Sequence, residues 1–144
     1  NFDSSSPSMN NVTATATGGT VNSYGVHNDQ SSSPSMDNVT ATATGGTDFS
    51  TGVANFDSSS PSMNNVTATA TGDSDSYGVY NISSSPSIRN SSITGSTKSI
   101  FNDNTSNAKV ADTALGGAVA GNGFFCVGVY DTDFAAANDI CVIP

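Results

Sequence analysis

Apolar side chains alternate with hydroxyl side chains over short segments of this chain, and the segments themselves repeat. The segment VTATATG, which begins at Val12, returns at Val39 and at Val66 with the same alternation. A period of two is typical of a β-strand with one buried face. Valine and alanine are therefore expected to point inward. The threonines are expected to face outward, because threonine is a β-branched residue that favours strands.

One recurring apolar position gives the length of the repeat. Met9, Met36 and Met63 are followed by Ile88 and Val110, at spacings of 27, 27, 25 and 22 residues. A period in the twenties without helical periodicity is expected for a β-solenoid, in which each unit stacks on its neighbour. We therefore predict an all-β chain with about five coils of 21–27 residues, each containing three short strands.

Turn-forming residues divide each coil into three extended pieces. In the first coil the pieces are SPSM, VTATATG and YGVHN. Asn10 and Asn11 separate the first two pieces, and asparagine tolerates the left-handed backbone conformation of a sharp corner. Gly18 and Gly19 end the threonine strand, and a serine-rich stretch forms the third corner. Three strands and three corners predict a triangular cross-section.

These coils, with a closing segment CVGVYD followed by a second cysteine, resemble the right-handed parallel β-helix repeat (pectin-lyase-like) proteins of bacterial cell surfaces. The resemblance covers essentially the whole chain. It implies a right-handed parallel β-helix, in line with the general crossover preference, and a secreted, extracellular or cell-surface location. It implies no particular activity, because this fold carries lyases, hydrolases, adhesins and tailspikes.

Stacked coils would arrange the outward hydroxyl side chains as a flat grid, with coils about 4.8 Å apart. Small alanines behind the grid would let the sheet lie flat. The fourth coil keeps hydroxyls at the outward positions although its inward residues change to Ile93 and Gly95. We call this candidate binding surface the threonine face. Its residues are Thr13, Thr15, Thr17, Thr40, Thr42, Thr44, Thr67, Thr69, Thr71, Ser92, Thr94 and Ser96.

The repeat stops near the C-terminus, which divides the chain into stacked coils, 1–117, and a C-terminal cap, 118–144. The cap contains an apolar group that we expect to close the end of the core, namely Phe124, Phe125, Val127, Val129 and Phe134. Cys126 and Cys141 are either bridged or two separate buried thiols. A bridge would close a loop of about fifteen residues and contribute on the order of 3 kcal/mol. It would also suit an oxidising, extracellular setting.

The first residues of the chain lie inside a coil, since NFDSSSPSMN at residue 1 recurs at residue 55. Two alternatives follow. Either further coils precede this one, or the open strand edge docks on another subunit, because unpaired edges recruit other strands. Head-to-tail self-association is therefore one expectation.

Composition narrows the range of partners. The chain has 144 residues, 12 acidic residues that are all aspartate, three basic residues and a net charge of -9. This balance argues against nucleic acid, whose phosphates require lysine and arginine. No apolar run approaches the length of a membrane span, so no membrane insertion is expected.

Residues for catalysis are sparse. His27 is the single histidine, and its counterparts in the other coils are Ala54, Tyr80 and Phe101. Because the residue at this position differs in every coil, His27 is expected to be a surface side chain without a chemical role rather than a general base. No nucleophile, metalloprotease or phosphate-loop motif occurs. We therefore assign no catalytic residue and do not expect an enzyme.

Two aspartate pairs are weak candidates for a Ca²⁺ site, because Ca²⁺ prefers oxygen ligands. They are Asp73 with Asp75, and Asp131 with Asp133. Solvated turn aspartates are the favoured interpretation, and no other cofactor or metal is expected.

The favoured hypothesis is a non-catalytic extracellular structural protein: a surface rod, a fibre or filament subunit, or a segment of an adhesin. One alternative is an ice-binding protein, since the Thr-Ala-Thr-Ala-Thr ladder resembles the flat ice-binding faces of insect antifreeze proteins. A second alternative is a polysaccharide-binding or tailspike-like fragment.

Overall fold

The chain winds through three parallel β-sheets once per coil in the computed structural model, which describes residues 1–72 and 75–143. All secondary structure in these two ranges is strand or turn, without a helix. The prediction of an all-β solenoid built from three strands per coil is confirmed.

Four coils carry full-length strands. The first contains β1 (Ser8–Asn10), β2 (Thr13–Thr17) and β3 (Asn22–Asn28), and the second contains β4 (Ser35–Asp37), β5 (Thr40–Thr44) and β6 (Phe49–Asn55). The third contains β7 (Ser62–Asn64), β8 (Thr67–Thr71) and β9 (Asp75–Asn81), and the fourth contains β10 (Ser87–Arg89), β11 (Ser92–Gly95) and β12 (Lys98–Asn102). Successive coils therefore repeat one strand pattern.

The strands shorten after the fourth coil. They are β13 (Ala108–Ala111), β14 (Ala114–Leu115) and β15 (Ala120–Gly121), followed by β16 (Phe124–Val127) and β17 (Tyr130–Asp131). Glycine and alanine replace the β-branched residues that favour strands at this point in the sequence. The regular solenoid therefore has about four turns, slightly fewer than the five coils expected.

The register of each sheet places equivalent positions of the repeat beside one another. The first sheet has the order β1-β4-β7-β10-β13-β16, the second has β2-β5-β8-β11-β14-β17 and the third has β3-β6-β9-β12-β15. Met9, Met36 and Met63 are aligned, and Ile88 and Val110 continue their column. The repeat anchored on methionine is therefore the structural repeat.

The core lies between the three sheets and consists of columns of apolar side chains. Met36, Met63 and Ile88 have at most 1% of their surface exposed. Ala41 and Ala68, which were expected to point inward from the threonine strands, are fully buried. Burial of each large side chain contributes roughly 1.5–3 kcal/mol.

Glycines let the second and third sheets approach closely. Gly52 has Gly25 and Gly78 as its neighbours in the adjacent coils. A Cβ atom on Gly52 would lie 2.7 Å from the carbonyl oxygen of Gly78 and 2.9 Å from the backbone nitrogen of Thr69. No larger residue fits without separating the two sheets, so glycine here keeps the cross-section thin behind the threonine strands.

A ladder of asparagine side chains runs through the interior beside the third sheet. The amide of Asn28 donates to Asn55, that of Asn55 to Asn81 and that of Asn81 to Asn102, over 2.8, 2.8 and 2.7 Å. All four residues are fully buried. The last amide donates to the carbonyl oxygen of Asn122 at 2.9 Å, which links the ladder to the segment after β15.

The corner between the first two strands of each coil has the expected left-handed conformation. Asn11, Asn38, Asn65 and Asn90 have φ values of 53, 52, 51 and 47°. The side chain of Asn65 donates a hydrogen bond to that of Asn38 in the preceding coil. Asparagine at this corner therefore serves both the backbone turn and the contact between coils.

The C-terminal segment stacks on the last coil through β16 and β17, and Cys126 and Cys141 form a disulfide across Cα atoms 5.4 Å apart. The expectation of a bridge is thus confirmed. The prediction that the apolar residues of the cap are buried together is correct only in part. Phe124 and Val129 are buried, whereas the exposed ones are Phe125, Val127 and Phe134. Alternation along β16 turns every second side chain outward.

Candidate binding face

The residues of the threonine face lie in three columns on the outer side of the second sheet. The first column is Thr13, Thr40, Thr67 and Ser92; the second is Thr15, Thr42, Thr69 and Thr94; the third begins with Thr17, Thr44 and Thr71. Ser96 lies in the bend after β11, where its backbone N–H donates to the carbonyl oxygen of Ala70 at 3.1 Å. The third column is therefore regular through three coils and continues less regularly in the fourth.

The dimensions of the grid follow from sheet geometry. Neighbours across the coils are about 4.8 Å apart, and neighbours along one strand are about 6.6 Å apart. The first column is exposed, whereas Thr42, Thr69 and Thr94 in the middle column are partly buried by their neighbours. Each residue offers a hydroxyl and most offer a methyl group, so the surface combines hydrogen-bonding and apolar contact at regular intervals.

The grid has clear limits at its C-terminal end. Ala114 is aligned with Ser92, and Tyr130 is aligned with Ala114, so the first hydroxyl column stops at the fourth coil. The strands β2, β5, β8 and β11 contain no charged residue. A neutral, regular surface of this kind is suited to a flat, uncharged partner, and it provides no acid or base for covalent chemistry.

His27 lies on the third sheet, away from the threonine face. Its ring stacks on Tyr24 at 4.9 Å and meets Phe2 and Phe56 edge-on at 5.3 and 5.2 Å. Burial among these rings lowers the pKa of His27, against the opposing charge of Asp29. The surroundings of His27 are those of a packing residue on an aromatic surface.

The aspartates named as weak Ca²⁺ candidates take separate positions. Asp131 accepts backbone hydrogen bonds from Asp133 at 2.9 Å and from Ala135 at 2.8 Å, which is a turn-forming role. Asp75 begins β9, and its charge contributes, after burial, to the raised pKa of Tyr77. Asp73 lies outside the described residues. Among the residues that are described, no three histidine, cysteine or acidic side chains come together as a metal site.

Two features of the site region were missed by reasoning from the sequence. One is the buried asparagine ladder, and the other is the row of aromatic rings on the outer side of the third sheet. The signal for the ladder was present, since the asparagine that follows YGVH returns after TGVA, YGVY and SIF. The rings recur less regularly, and their alignment depends on the register between coils.

Comparison with known proteins found no match among protein-family models, curated proteins or solved structures. No helix in the described ranges is both long enough and apolar enough to cross a membrane. The fold and the face define a parallel β-solenoid repeat protein with one sheet that bears columns of hydroxyl side chains.

Proposed function

We propose that this chain is a non-catalytic structural segment of an extracellular protein, a stiff rod that presents a flat face. The observation that supports this role is the buried asparagine ladder through four coils. Each coil adds the same amide bond along the axis, in addition to the backbone bonds of three sheets. Such a stack resists bending because every coil is tied to its neighbours at several points around the section.

The disulfide supports an extracellular or cell-surface location. Disulfides persist in oxidising compartments and are rare in reducing ones. The bridge between Cys126 and Cys141 lies at the end of the stack, where the coils give way to shorter strands. There it ties the terminal segment to the rod. We include in this proposal that the chain is related to the pectin-lyase-like surface proteins of bacteria.

Removal of a whole coil tests whether the coil is the structural unit of the rod. Deletion of residues 28–54 removes one period and joins His27 to Asn55, which keeps the asparagine ladder in register. The shortened chain is expected to fold and to be shorter by about 4.8 Å along its axis, as measured by small-angle X-ray scattering. A deletion of residues 28–41, about half a coil, serves as the control and should abolish cooperative folding. If both deletions fold equally well, the coils are not the structural unit.

Location is tested on intact producing cells. Exposure to a protease or to a membrane-impermeant label should reach the chain without lysis. The chain's disulfide should be formed in that fraction, as shown by mass spectrometry under non-reducing conditions. Detection of the chain only after lysis, with reduced cysteines, contradicts the proposed location.

A second candidate function, ice binding, is favoured by the register of the threonine columns. Thr15, Thr42 and Thr69 are aligned in three successive coils and have buried alanines on the opposite side of the sheet. Regular hydroxyl and methyl positions on a flat sheet could order water. The parent protein is then expected to show thermal hysteresis, and Thr42→Lys should remove it. Ser62→Lys, on the first sheet, is the matched control. Absence of hysteresis in the parent ends this candidate.

A further inference from the structure

One position on the outer side of the third sheet holds a ring in the first and third coils but a small side chain in the second. In the register of β3, β6 and β9, Tyr24 is aligned with Thr51, and Thr51 with Tyr77. The two tyrosines are two coils apart, or about 9.6 Å along the axis. Tyr80 and Phe101, in adjacent coils, stack with ring centroids 4.9 Å apart. Phe49 and Phe56 pack over this gap and leave Thr51 without exposed surface, so only a small space remains beside its side chain.

The neighbouring outward position has the same interruption. His27, Ala54 and Tyr80 are aligned in the first three coils, so the small side chain again falls in the second coil. Phe56, from the following corner, packs across part of this gap and lies 5.2 Å from His27 and 5.8 Å from Tyr80. The second coil thus carries small side chains at these two outward positions, while Phe49 of the same coil packs against Tyr77 and Tyr80.

A cavity of about 120 Å³ lies beside Thr51. Its lining consists of four aromatic rings and two polar side chains: Tyr24, Phe49, Phe56, Tyr80, Asn22 and Thr51. Tyr80 is held from the far side by Phe101, at an interplanar angle of 16°. Tyr24 is held by stacking on His27. The aromatic walls are therefore fixed by packing before any ligand arrives.

Thr51 forms a polar point in this aromatic cavity. Its side chain is fully buried, and its hydroxyl oxygen has no hydrogen-bond partner within the described structure. Buried hydroxyls almost always have a partner, because an unpaired one costs about 1–3 kcal/mol. A ligand that carries a hydroxyl group could supply the missing bond.

The charge around the cavity favours a cation. The chain carries a net charge of -9, and Asp75, which is aligned with Phe49 in the next coil, lies close enough for its charge to raise the pKa values of Tyr77 and Tyr80. Burial, and then the charge of Asp75, raise the pKa of Tyr80, so its ring stays neutral at physiological pH. Lys98 is aligned with Tyr77 in the fourth coil, one coil beyond the cavity. The faces of neutral aromatic rings attract cations.

We propose that this cavity binds a small organic cation of the choline type, a methylated ammonium group with a hydroxyl on a short arm. The ring faces would contact the ammonium group, and Thr51 would exchange a hydrogen bond with the ligand hydroxyl. The cavity is several times smaller than the 300–1,000 Å³ or so of sites for drug-sized ligands, which suits a group of this size. This site is independent of the threonine face, which lies on another sheet.

Isothermal titration with choline chloride on the intact chain tests the proposal directly. The control ligand is 3,3-dimethylbutan-1-ol, which has the shape of choline without its charge. Choline is expected to bind about tenfold more tightly than this alcohol, because the contact between ring and cation depends on charge. Equal binding of the two ligands, or no binding of choline, overturns the proposal.

Substitutions at Thr51 test whether choline binds in this cavity or elsewhere on the chain. Thr51→Tyr restores the ring found in the first and third coils and fills the cavity, so it should weaken choline binding by at least about tenfold. Thr40→Tyr, on the threonine face, is the matched control and should leave binding unchanged. Circular dichroism establishes that each variant is folded. Unaltered choline affinity in folded Thr51→Tyr overturns the proposed location.

A smaller substitution covers the case in which the added ring disturbs folding. Thr51→Val keeps the shape of the side chain but removes its hydroxyl. It should weaken choline binding and leave the binding of tetramethylammonium, which has no hydroxyl, unchanged. A uniform effect on both cations would contradict the role given to the Thr51 hydroxyl and with it this mode of binding.

Discussion

The side-chain amide of Asn28 donates to the side-chain oxygen of Asn55 over 2.8 Å, and neither residue has any exposed surface. Asn55 in turn donates to Asn81. Asn55 is therefore both an acceptor and a donor in the interior, where water cannot replace a lost partner. Loss of the Asn55 side chain should therefore destabilise the coil stack more than loss of an exposed asparagine.

Asn55→Ala is expected to lower the free energy of unfolding by about 2–4 kcal/mol, since it leaves one donor and one acceptor buried without partners. Urea unfolding followed by circular dichroism measures the loss. Asn64→Ala is the matched control. Asn64 also bonds along the axis, to Asp37 at 2.6 Å, but it is exposed, so water replaces the lost partner. Its loss should stay below about 1 kcal/mol. Equal losses would show that burial is not the deciding factor.

Gly52→Ala is expected to destabilise the fold by about 1–3 kcal/mol through overpacking between the second and third sheets. The new Cβ atom would meet backbone atoms at 2.7 and 2.9 Å, and backbone cannot move aside as a side chain can. Gly117→Ala is the control, because the nearest atom to its Cβ position lies 3.5 Å away. That variant should change stability by less than about 0.5 kcal/mol. Thermal unfolding of both variants tests the difference, and a larger loss for Gly117→Ala would contradict it.

The columns of Met9, Met36 and Met63, and the alternation within each threonine strand, could be predicted from the sequence. In a solenoid, a position that repeats in sequence is aligned in space, so sequence spacing gives the register directly. The left-handed asparagine corners were predictable for a related reason: few residues other than asparagine and glycine adopt that conformation readily.

The remaining features depend on contacts that the repeat does not specify. Buried asparagine is unusual in ordinary domains, and its burial at Asn55 is tolerated only because stacked amides satisfy one another along the axis. The small side chain at Thr51 marks a place where one coil departs from the repeat. The aromatic lining of the cavity there comes from neighbouring coils and corners, which the sequence of that coil does not specify. In the C-terminal segment, the apolar composition suggested a buried group, but strand alternation left Phe125 exposed.

The disulfide between Cys126 and Cys141 should stabilise the C-terminal segment more than the coils. Replacement of both cysteines by alanine is expected to cost about 3 kcal/mol, from the loss of a closed loop in the unfolded chain. Hydrogen exchange measured by mass spectrometry should then show faster exchange in residues 118–143, with little change in β5 and β8. Chemical reduction of the parent chain provides the control without substitution. Equal acceleration in the coils would mean that the bridge supports the whole stack.

The carboxylate of Asp103 links stability to pH. Burial alone would raise the pKa of Asp103, but it accepts bonds from the hydroxyls of Ser106 at 2.6 Å and Thr105 at 2.7 Å, and from the backbone N–H groups of Ser83 and Thr105. These bonds outweigh the effect of burial and lower the pKa from 3.8 to about 2. The bond from Ser83 joins the corners of the third and fourth coils, and the other three hold the corner that contains Asp103 itself.

A carboxylate whose pKa is lower in the folded state contributes stability above its unfolded value, and that contribution is lost as the pH falls through the folded value. The melting temperature of the parent chain should therefore fall between about pH 4 and pH 2. Asp103→Asn should be less stable at neutral pH but lose less on acidification over that window, because its amide does not take up a proton. Asp57→Asn removes the same charge at an exposed corner and serves as the control. Parallel pH profiles for the parent chain and Asp103→Asn would exclude Asp103 as the source of the acid sensitivity.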